Sequence, residues 1–361
     1  MNILYTIISF NVGGAEKLLI DLLNNWNNKE DKIILCIINN DFKNEMIEKI
    51  NENIEIKYLN RKNNSKSLSF IKEYLNFIRD NNIEIIHCQD KESLLLASIG
   101  KIFYKKLKIF NTIHDTKIYS NISKLYVNID KIFTEKIIAI SSSVKDEILM
   151  RGHKQNKVKV VNNGIDFSIY HNNKEVNINN VFNIGCVARL QPQKKGQDIL
   201  IKAIDIVKEK YPNIKCYFAG GYEEKDKELY LELKNLVEFL GLEENVIFKG
   251  NINNVPEFLN KLDLFVLPSR NEGFGLVVVE AMAAKVPVIA SDLEGPKEII
   301  KNDKYGLLFN NEDYRDLAKK IIYSIENKRE NLEEVYEYAK KNYDIRNMSD
   351  LLREIYYENK N

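Results

Sequence analysis

Short apolar segments alternate with longer segments of helical periodicity along most of the chain. In the first half the apolar segments are ILYTIISF, DKIILCII, IEIKYL, IEIIHC, KIFNTIH and KIIAIS. In the second half they are FNIGCVARL, CYFAGG, NVIFKGNI, LDLFVLPS and VPVIAS. Strands and helices in alternation indicate βαβ units, so the pattern predicts an α/β protein with parallel sheets.

The alternation is interrupted over residues 163–182, NGIDFSIYHNNKEVNINNVF, which are polar and rich in asparagine. A chain of 361 residues also exceeds one ordinary hydrophobic core. We therefore predict a first domain over residues 1–165, a linker over 166–181 and a second domain over 182–343. The remaining segment, residues 344–361, is expected to form a helix that packs back on the first domain.

Composition argues against several classes of protein. No apolar run approaches the ~20 residues that span a bilayer, and the N-terminal MNILYTIISF has the character of a first strand rather than a signal peptide. A cytoplasmic location is therefore predicted. The cysteine spacing matches neither a zinc site nor a CxxC motif, so the four cysteines are interpreted as reduced, buried thiols. These are Cys36, Cys88, Cys186 and Cys216.

Positive charge is concentrated in residues 101–165, which hold 13 Lys or Arg against five Asp or Glu, in a chain of net charge +1. A basic segment in a near-neutral protein suggests an anionic partner. In GKIFYKKLKIF, four lysines alternate with apolar and aromatic residues, a composition suited to an anionic membrane surface. They are Lys101, Lys105, Lys106 and Lys108. A solvated lysine face beside a buried strand explains the same charge equally well.

Two predicted strand–helix junctions are suited to binding phosphate. In NVGGAEK, Gly13 and Gly14 follow the first strand and open a helix, whose N-terminus favours an anion. In ARLQPQKKGQ, Arg189 ends a strand and Lys195 lies in the loop before the next helix. Together these two cations would supply a planar fork and a point charge to a diphosphate. A plain turn and two solvated surface cations are the alternative interpretations.

The segment NEGFGLVVVEAMAA predicts a loop followed by a helix, with Glu272 before the helix and Glu280 inside it. The amides of Phe274, Gly275 and Leu276 at the helix start can bind a diphosphate. Carboxylates repel phosphate but accept hydrogen bonds from vicinal hydroxyls, so the segment is suited to a nucleotide-sugar. The two glutamates also fit the acid/base pair of a glycoside hydrolase, an interpretation that the nearby cations disfavour.

Six collinear segments carry a resemblance that covers essentially the whole chain: VGGAE, TIHD, AISSS, NNGID, GCVARLQPQKKGQDILIK and LFVLPSRNEGFGLVVVEAMAAKVPVIASDLEGPKEII. They resemble the retaining glycosyltransferases of family 4. The resemblance implies a GT-B fold, in which two Rossmann-like α/β/α domains face a central cleft. It also implies that the second domain binds the donor, the first domain binds the acceptor, and a C-terminal helix returns to the first domain.

The resemblance assigns roles to the second-domain motifs. It implies that Arg189 and Lys195 hold the donor diphosphate and stabilise its charge as it leaves. Glu280 would bind the donor ribose, and Glu272 would hold the transferred sugar. The sugar would also contact the amides of Phe274, Gly275 and Leu276.

The remaining assignments are also carried over from the family. Gly14 would lie near the diphosphate and His114 would contact the sugar, although His114 taken alone also suits a structural role. The nucleotide base would lie near Gly250 and Asn251. The family usually has a second histidine where this chain has Gln89, so no role is assigned to that segment.

The implied reaction transfers a hexose or N-acetylhexosamine with retention of anomeric configuration. The donor would be a UDP-sugar or, next, GDP-mannose, and the acceptor a glycan or lipid-linked molecule of surface polysaccharide, lipooligosaccharide or glycolipid synthesis. The sequence lacks any Asp-x-Asp, so no metal and no cofactor are expected. The protein would work at the inner face of the membrane, contacting it through residues 101–165, and would bind no nucleic acid.

Other functions remain open at this point. A sugar-nucleotide epimerase or a phosphorylase would use the same architecture, although no motif for a phosphorylase cofactor lysine is found. A non-catalytic carbohydrate-binding subunit would have no need of all four charged residues Arg189, Lys195, Glu272 and Glu280. A dehydrogenase is disfavoured because GxGxxG is absent from the sequence.

Overall fold

The computed structural model describes residues 1–62, 67–116, 118–170, 181–327 and 331–359. The chain divides into two compact units. The first unit is Met1–Asp166 together with Tyr343–Asn361, and the second is Phe167–Asn342. Residues 171–180, most of the predicted linker over 166–181, lie outside the described residues.

The first unit is built around a parallel sheet. Its strands are β1 (Asn2–Ile7), β2 (Lys32–Asn39), β3 (Glu55–Arg61), β4 (Ile85–Cys88), β5 (Lys108–Ile113), β6 (Lys136–Ala139) and β7 (Val158–Val160). Its helices before the second unit are α1 (Gly14–Asn24), α2 (Asn44–Ile47), α3 (Ser69–Asp80), α4 (Lys91–Phe103), α5 (Ile118–Asn121), α6 (Lys124–Phe133) and α7 (Ser142–Met150).

Strand order in this sheet is β3-β2-β1-β4-β5-β6-β7, and all the strand pairs are parallel. The strands are rich in Ile and Leu and almost fully buried, as expected for a parallel sheet covered on both faces. The chain leaves β1 toward β2 and later returns to β4 on the other side of β1. The carboxyl ends of β1, β4 and β5 therefore lie side by side, and the predicted residues Gly14 and His114 follow two of them.

The second unit repeats the arrangement. Its strands are β8 (Phe182–Val187), β9 (Ile214–Ala219), β10 (Val246–Gly250), β11 (Leu264–Leu267), β12 (Val288–Ser291) and β13 (Leu307–Phe309). Its helices are α8 (Pro192–Lys195), α9 (Gln197–Lys210), α10 (Lys227–Phe239), α11 (Val255–Asn260), α12 (Leu276–Ala283), α13 (Glu294–Ile300), α14 (Tyr314–Glu326) and α15 (Leu332–Tyr343).

Strand order in the second sheet is β10-β9-β8-β11-β12-β13, again parallel throughout. Helix α9 shows why the core forms here, because its apolar residues recur at helical spacing and are buried. They are Ile199, Leu200, Ile201, Ala203, Ile204 and Val207. Burying a side chain of the size of Ile or Leu contributes roughly 1.5–3 kcal/mol. This buried face sets α9 firmly behind the loop that carries Arg189 and Lys195.

The C-terminal segment consists of two helices. It forms α15 and a separate helix α16 (Ile345–Glu358), broken at Asp344. The Asp344 carboxylate caps α16 by accepting from the Arg346 amide at 2.9 Å, and its backbone pairs with Ile165. An N-cap takes non-helical backbone angles, so the two helices cannot run on as one. Helix α16 then packs on the first sheet, where the Tyr356 hydroxyl lies 3.0 Å from that of Tyr5.

The four cysteine thiols are all buried and free, as predicted. Within the part of the chain that the structure describes, no helix has both the length and the apolarity needed to cross a bilayer.

Candidate functional site

The second sheet changes direction between β8 and β11, and the predicted donor residues follow these two strands. Connections from β8 and β11 leave toward opposite edges of the sheet. Such a switch point opens a crevice outside the carboxyl ends of the strands, where α/β proteins bind ligands. Arg189 and Lys195 follow β8, whereas Glu272 and Gly275 follow β11. The topology therefore brings together motifs that are far apart in sequence.

Lys195 and Glu272 meet at this switch point. The Lys195 Nζ lies 2.8 Å from Glu272 Oε2, and the two side chains are 21% and 16% exposed. The Ser269 hydroxyl donates to the same carboxylate oxygen at 3.3 Å. A cation and a carboxylate are thus held adjacent and only partly hydrated, where a diphosphate and a sugar hydroxyl would each find a matching partner.

The loop carrying Lys195 is more ordered than the sequence indicated. Lys195 ends the short helix α8 and does not lie in an open loop. Gly196 follows with φ of 65°, and a Cβ there would lie 1.9 Å from the Pro268 carbonyl oxygen. Only glycine lets the β8 loop approach the β11 loop this closely. The KG pair in the sequence therefore also has a packing role.

Arg270, which lies outside the predicted motif residues, joins the two loops. Its guanidinium forms a bidentate pair with Asp198, at 2.7 and 2.9 Å, and also donates to the Pro192 carbonyl at 2.6 Å. Its amide donates to the Lys194 carbonyl at 2.9 Å. Burial alone would raise the Asp198 pKa, but the Arg270 hydrogen bonds hold it below its ordinary value. The only sequence signal was an acidic residue in the first turn of a helix.

The segment from Glu272 to Glu280 forms the loop and helix that were predicted. Gly275 caps α12 with φ of 98°, a conformation that favours glycine, and the helix runs over eight residues. Phe274 is buried at 2% exposure and anchors the turn. Glu280 lies inside the helix at 4% exposure. Helix α12 begins at Leu276, four residues after Glu272.

Arg189 has a different partner from Lys195. Its guanidinium lies 3.3 Å from the Glu223 carboxylate, and both side chains are about half exposed. Its carbonyl accepts from the buried Gln197 side chain at 2.7 Å, which fixes the backbone at this point. The half-exposed guanidinium thus pairs with Glu223, and the Gln197 side chain holds the backbone that carries it.

The region predicted for the nucleotide base is a junction between the ends of β9 and β10. The Gly220 amide donates to the Gly250 carbonyl at 2.8 Å. The Asn251 side-chain oxygen accepts from the Gly221 amide at 2.7 Å. Asn251 thus holds the loop after β9, and Gly250 reaches its place with φ of 66°.

In the first unit, His114 and Gln89 are brought together at the ends of β5 and β4. The His114 Nε2 lies 2.9 Å from Gln89 Oε1, so the segment without an assigned role supplies the partner of the predicted histidine. Burial lowers the pKa of His114 to about 4, against the opposing charge of Asp115. Gly14 begins α1, and a Cβ built there meets no atom within 4 Å.

Two family models match the amino-acid sequence and together cover most of it. Glycosyltransferase Family 4 matches residues 12–168, and Glycosyl transferases group 1 matches residues 171–342. The chain belongs to the glycosyltransferases of the family 4 type. The family resemblance expected from the motifs is thus confirmed.

Individual glycosyltransferases show the same relationship. CapM of Staphylococcus aureus, a capsular polysaccharide biosynthesis glycosyltransferase, is 33% identical over 200 residues, which are 51% of this chain and half of CapM. WclY of Escherichia coli, an O-antigen biosynthesis glycosyltransferase, is 28% identical over 283 residues, 73% of this chain and 74% of WclY. Anabaena Alr3699/HepE in complex with UDP superposes with a TM-score of 0.86 at 23% identity, covering 99% of this chain and 100% of that one. The predicted fold, two parallel-sheet α/β domains of the GT-B type, is confirmed.

Proposed function

We propose that this glycosyltransferase is a retaining, metal-independent enzyme that uses a nucleotide diphosphate sugar. It would transfer a hexose or N-acetylhexosamine to a glycan or lipid-linked acceptor in the synthesis of surface polysaccharide, lipooligosaccharide or glycolipid. A UDP-sugar is the favoured donor and GDP-mannose the next. The observation that carries the proposal is the contact between Lys195 and Glu272 at the switch point of the second sheet.

The chemistry of this pair suits the two halves of such a donor. Phosphate oxygens are attracted to the Lys195 ammonium and the Arg189 guanidinium and repelled by carboxylates. Sugar hydroxyls donate hydrogen bonds, so Glu272 is a partner for them and a poor partner for phosphate. The amides at the start of α12 add a partial positive charge beside both groups. Glu280 is proposed to accept from the ribose hydroxyls.

The reaction would cleave the bond between the anomeric carbon and the diphosphate oxygen while the acceptor oxygen bonds to the same carbon. In a same-face attack, the acceptor hydroxyl proton passes to the departing phosphate oxygen, so charge and protons balance. Lys195 and Arg189 would stabilise the negative charge that grows on the diphosphate. Because the pKa of His114 is about 4, its ring is neutral near pH 7 and can bind a sugar hydroxyl without adding a charge.

The relatives support a nucleotide-sugar donor and a glycan acceptor. Two of them are named for the synthesis of capsular polysaccharide and O-antigen. The Anabaena protein has been crystallised with UDP and also with UDP-glucose. These observations favour UDP over other nucleotides for this chain.

A thermal-shift series tests the donor class directly. The protein is melted with UDP, GDP and ADP, and with UDP- and GDP-sugars, in the presence of EDTA. A ligand at ~100 times its dissociation constant should stabilise the protein by ~2.7 kcal/mol. UDP should raise the melting temperature of the wild type and not that of Lys195→Ala. If no nucleotide has any effect, the donor proposal is wrong.

Turnover then separates the proposed transferase from its alternatives. UDP release that depends on an added glycan acceptor, with an α-linked product from an α-linked donor, supports retaining transfer. Conversion of the donor sugar without an acceptor indicates an epimerase, and dependence on inorganic phosphate indicates a phosphorylase. Carbohydrate binding with no turnover indicates a non-catalytic subunit. Activity lost in EDTA and restored by a divalent ion would contradict the metal-independent mechanism.

We also propose that the basic part of the first unit contacts an anionic membrane surface. Of the four lysines in GKIFYKKLKIF, Lys101 and Lys108 form ion pairs with Glu135, at 3.5 and 3.8 Å. Lys105 and Lys106 remain exposed, and four apolar side chains of the same basic segment are more than half exposed. These side chains are Ile102 and Phe103 at the end of α4 and Leu125 and Ile132 on α6.

A vesicle assay tests this contact. The protein is pelleted with vesicles of phosphatidylglycerol and phosphatidylcholine at low and high salt. Binding should fall with salt, since each basic residue near the surface contributes ~1 kcal/mol. The double variant Lys105→Gln, Lys106→Gln should bind more weakly than the wild type. The charge-matched control is Lys319→Gln, Lys320→Gln, which removes two adjacent lysines from α14 of the second unit. No pelleting of the wild type at low salt would end the membrane proposal.

A further inference from the structure

We propose that Glu223 is an internal competitor of the donor diphosphate for Arg189, and that it keeps the affinity of the site for nucleotide low. The inference rests on the proposed function, since it takes Arg189 as a ligand of the diphosphate. It adds a residue outside the recognised motifs, in the acidic loop of residues 220–226 between β9 and α10. The loop contains Glu223, Glu224 and Asp226.

The acidic loop is docked against the loop that carries Arg189. The Leu190 amide donates to the Gly221 carbonyl at 2.9 Å, and the Gln191 side chain donates to Asp226 at 2.9 Å. In the acidic loop these two bonds flank Glu223, which lies 3.3 Å from the Arg189 guanidinium. The docked loop therefore holds the carboxylate of Glu223 close to the guanidinium of Arg189.

A second cation gives the Glu223 carboxylate an alternative position. Lys225 Nζ lies 2.6 Å from Glu223 Oε2, while Arg189 contacts the other oxygen, Oε1. The hydrogen bond with Glu223 raises the pKa of Lys225. When a diphosphate displaces Glu223 from Arg189, the carboxylate can remain paired with Lys225. Release of Arg189 thus does not leave an isolated charge.

The physical effect on nucleotide binding has a definite sign. A guanidinium that pairs with a carboxylate in the free protein must lose that pair before it grips a phosphate, and the nearby negative charge also repels the ligand. Both effects weaken binding of the donor and of the released nucleotide. Weak product binding favours turnover where nucleotide release is slow. Glu223 would then tune affinity without touching the reacting atoms.

Calorimetric titration with UDP in EDTA tests the inference. Glu223→Gln should lower the dissociation constant of UDP roughly 1.5- to 5-fold, the range expected for an exposed ion pair, and the gain should shrink at high salt. Tighter binding cannot result from a damaged fold. Glu224→Gln is the matched control, because it removes the same charge from the next residue, which pairs with Lys227 at 3.5 Å and not with Arg189.

Two further variants separate direct competition from a general charge effect. In an Arg189→Ala background, Glu223→Gln should no longer tighten UDP binding. Lys225→Gln should weaken UDP binding. Without the Lys225 cation, Glu223 keeps its ion pair with Arg189 and competes more strongly with the diphosphate. Equal gains from Glu223→Gln and Glu224→Gln, or no gain from Glu223→Gln while wild type binds UDP, would overturn the inference and leave the transferase proposal intact. A wild type that binds no nucleotide would overturn both.

Discussion

Lys195 Nζ and Glu272 Oε2 lie 2.8 Å apart although the two residues are separated by 77 positions in the sequence. Each follows one of the two adjacent strands at which the second sheet changes direction. The contact therefore results from strand order and not from any local motif. It places opposite charges where the two halves of the proposed donor would meet, and the first two predictions follow from it.

Removing the Lys195 cation should weaken both binding and chemistry. For Lys195→Ala we expect kcat/KM to fall by about 10²–10³, because a charge that stabilises the leaving group is lost from a partly desolvated site. Steady-state assays of UDP release measure this. Lys194→Ala is the control, since it removes the adjacent lysine and should leave kcat/KM within about twofold. Equal losses in the two variants would contradict a specific role for Lys195.

Glu272→Gln should separate sugar recognition from diphosphate binding. The glutamine amide keeps the size of the side chain but accepts hydrogen bonds from sugar hydroxyls less strongly than a carboxylate does. We expect UDP to bind as tightly as to the wild type, or more tightly, while transfer from the UDP-sugar falls by at least about tenfold. Calorimetry and the transfer assay measure the two quantities. A large loss of UDP affinity with normal turnover would place Glu272 at the diphosphate instead.

The bidentate pair of Arg270 and Asp198, called the clasp below, should hold the Lys195 and Glu272 loops in place without contacting substrate. Arg270→Ala and Asp198→Ala should each lower the free energy of unfolding, and a double-mutant cycle should give a coupling of about 1 kcal/mol for this bidentate, partly exposed pair. Both substitutions should also raise the KM for the donor, because the Lys195 and Glu272 loops are then no longer held together by this ion pair. Arg270→Lys should restore only part of the effect. Independent, additive effects would contradict the clasp.

Two glycine substitutions should differ in their effect on the stability of the protein. Gly196→Ala would place a Cβ 1.9 Å from a carbonyl oxygen at a positive φ, so we expect marked loss of stability in thermal melts. Gly14→Ala meets no atom within 4 Å and should melt like the wild type. If Gly14 lies close to the diphosphate, as the family resemblance implies, the same variant should nevertheless raise the donor KM. Unchanged kinetics for Gly14→Ala would remove it from the site.

Much of the fold was predictable because its determinants are periodic and local. The alternation of apolar strands and amphipathic helices correctly indicated two parallel-sheet units. The glycine before α12 and the apolar residues within that helix likewise located the Glu272 to Glu280 segment correctly. Periodicity alone does not explain why the helices are separated at Asp344, because an aspartate inside a helical pattern becomes a cap only when tertiary contacts favour one.

The partners within the site were not predictable from sequence. Arg189 and Lys195 were grouped as one pair of cations, yet each contacts a different carboxylate, Glu223 or Glu272. Contacts of Arg270 depend on the distance between two loops, which strand order sets and no motif encodes. Gln89 carried no signal of its own. Its contact with His114 arises because β4 and β5 are neighbours in the sheet.

Acid should destabilise the protein in part through His87, which is buried between the sheet and α16. The Nδ1 atom of the ring contacts the Tyr356 hydroxyl. The Nε2 atom lies 2.6 Å from Thr112 Oγ1. Burial, and secondarily the charge of His114, lower the pKa of His87 to about 3, whereas it is about 6.5 in an unfolded chain. Between these values the unfolded chain binds a proton that the folded protein does not, so stability falls as pH falls.

Replacing His87 by a side chain that does not titrate should remove this pH dependence. For His87→Gln, we expect the free energy of unfolding relative to the wild type to rise by about 2 kcal/mol between pH 7.5 and pH 5, whatever the offset at pH 7.5. Urea denaturation across that range measures it, and groups such as Asp90 cancel because both proteins contain them. Parallel stability curves would show that the His87 pKa is not depressed in the folded protein.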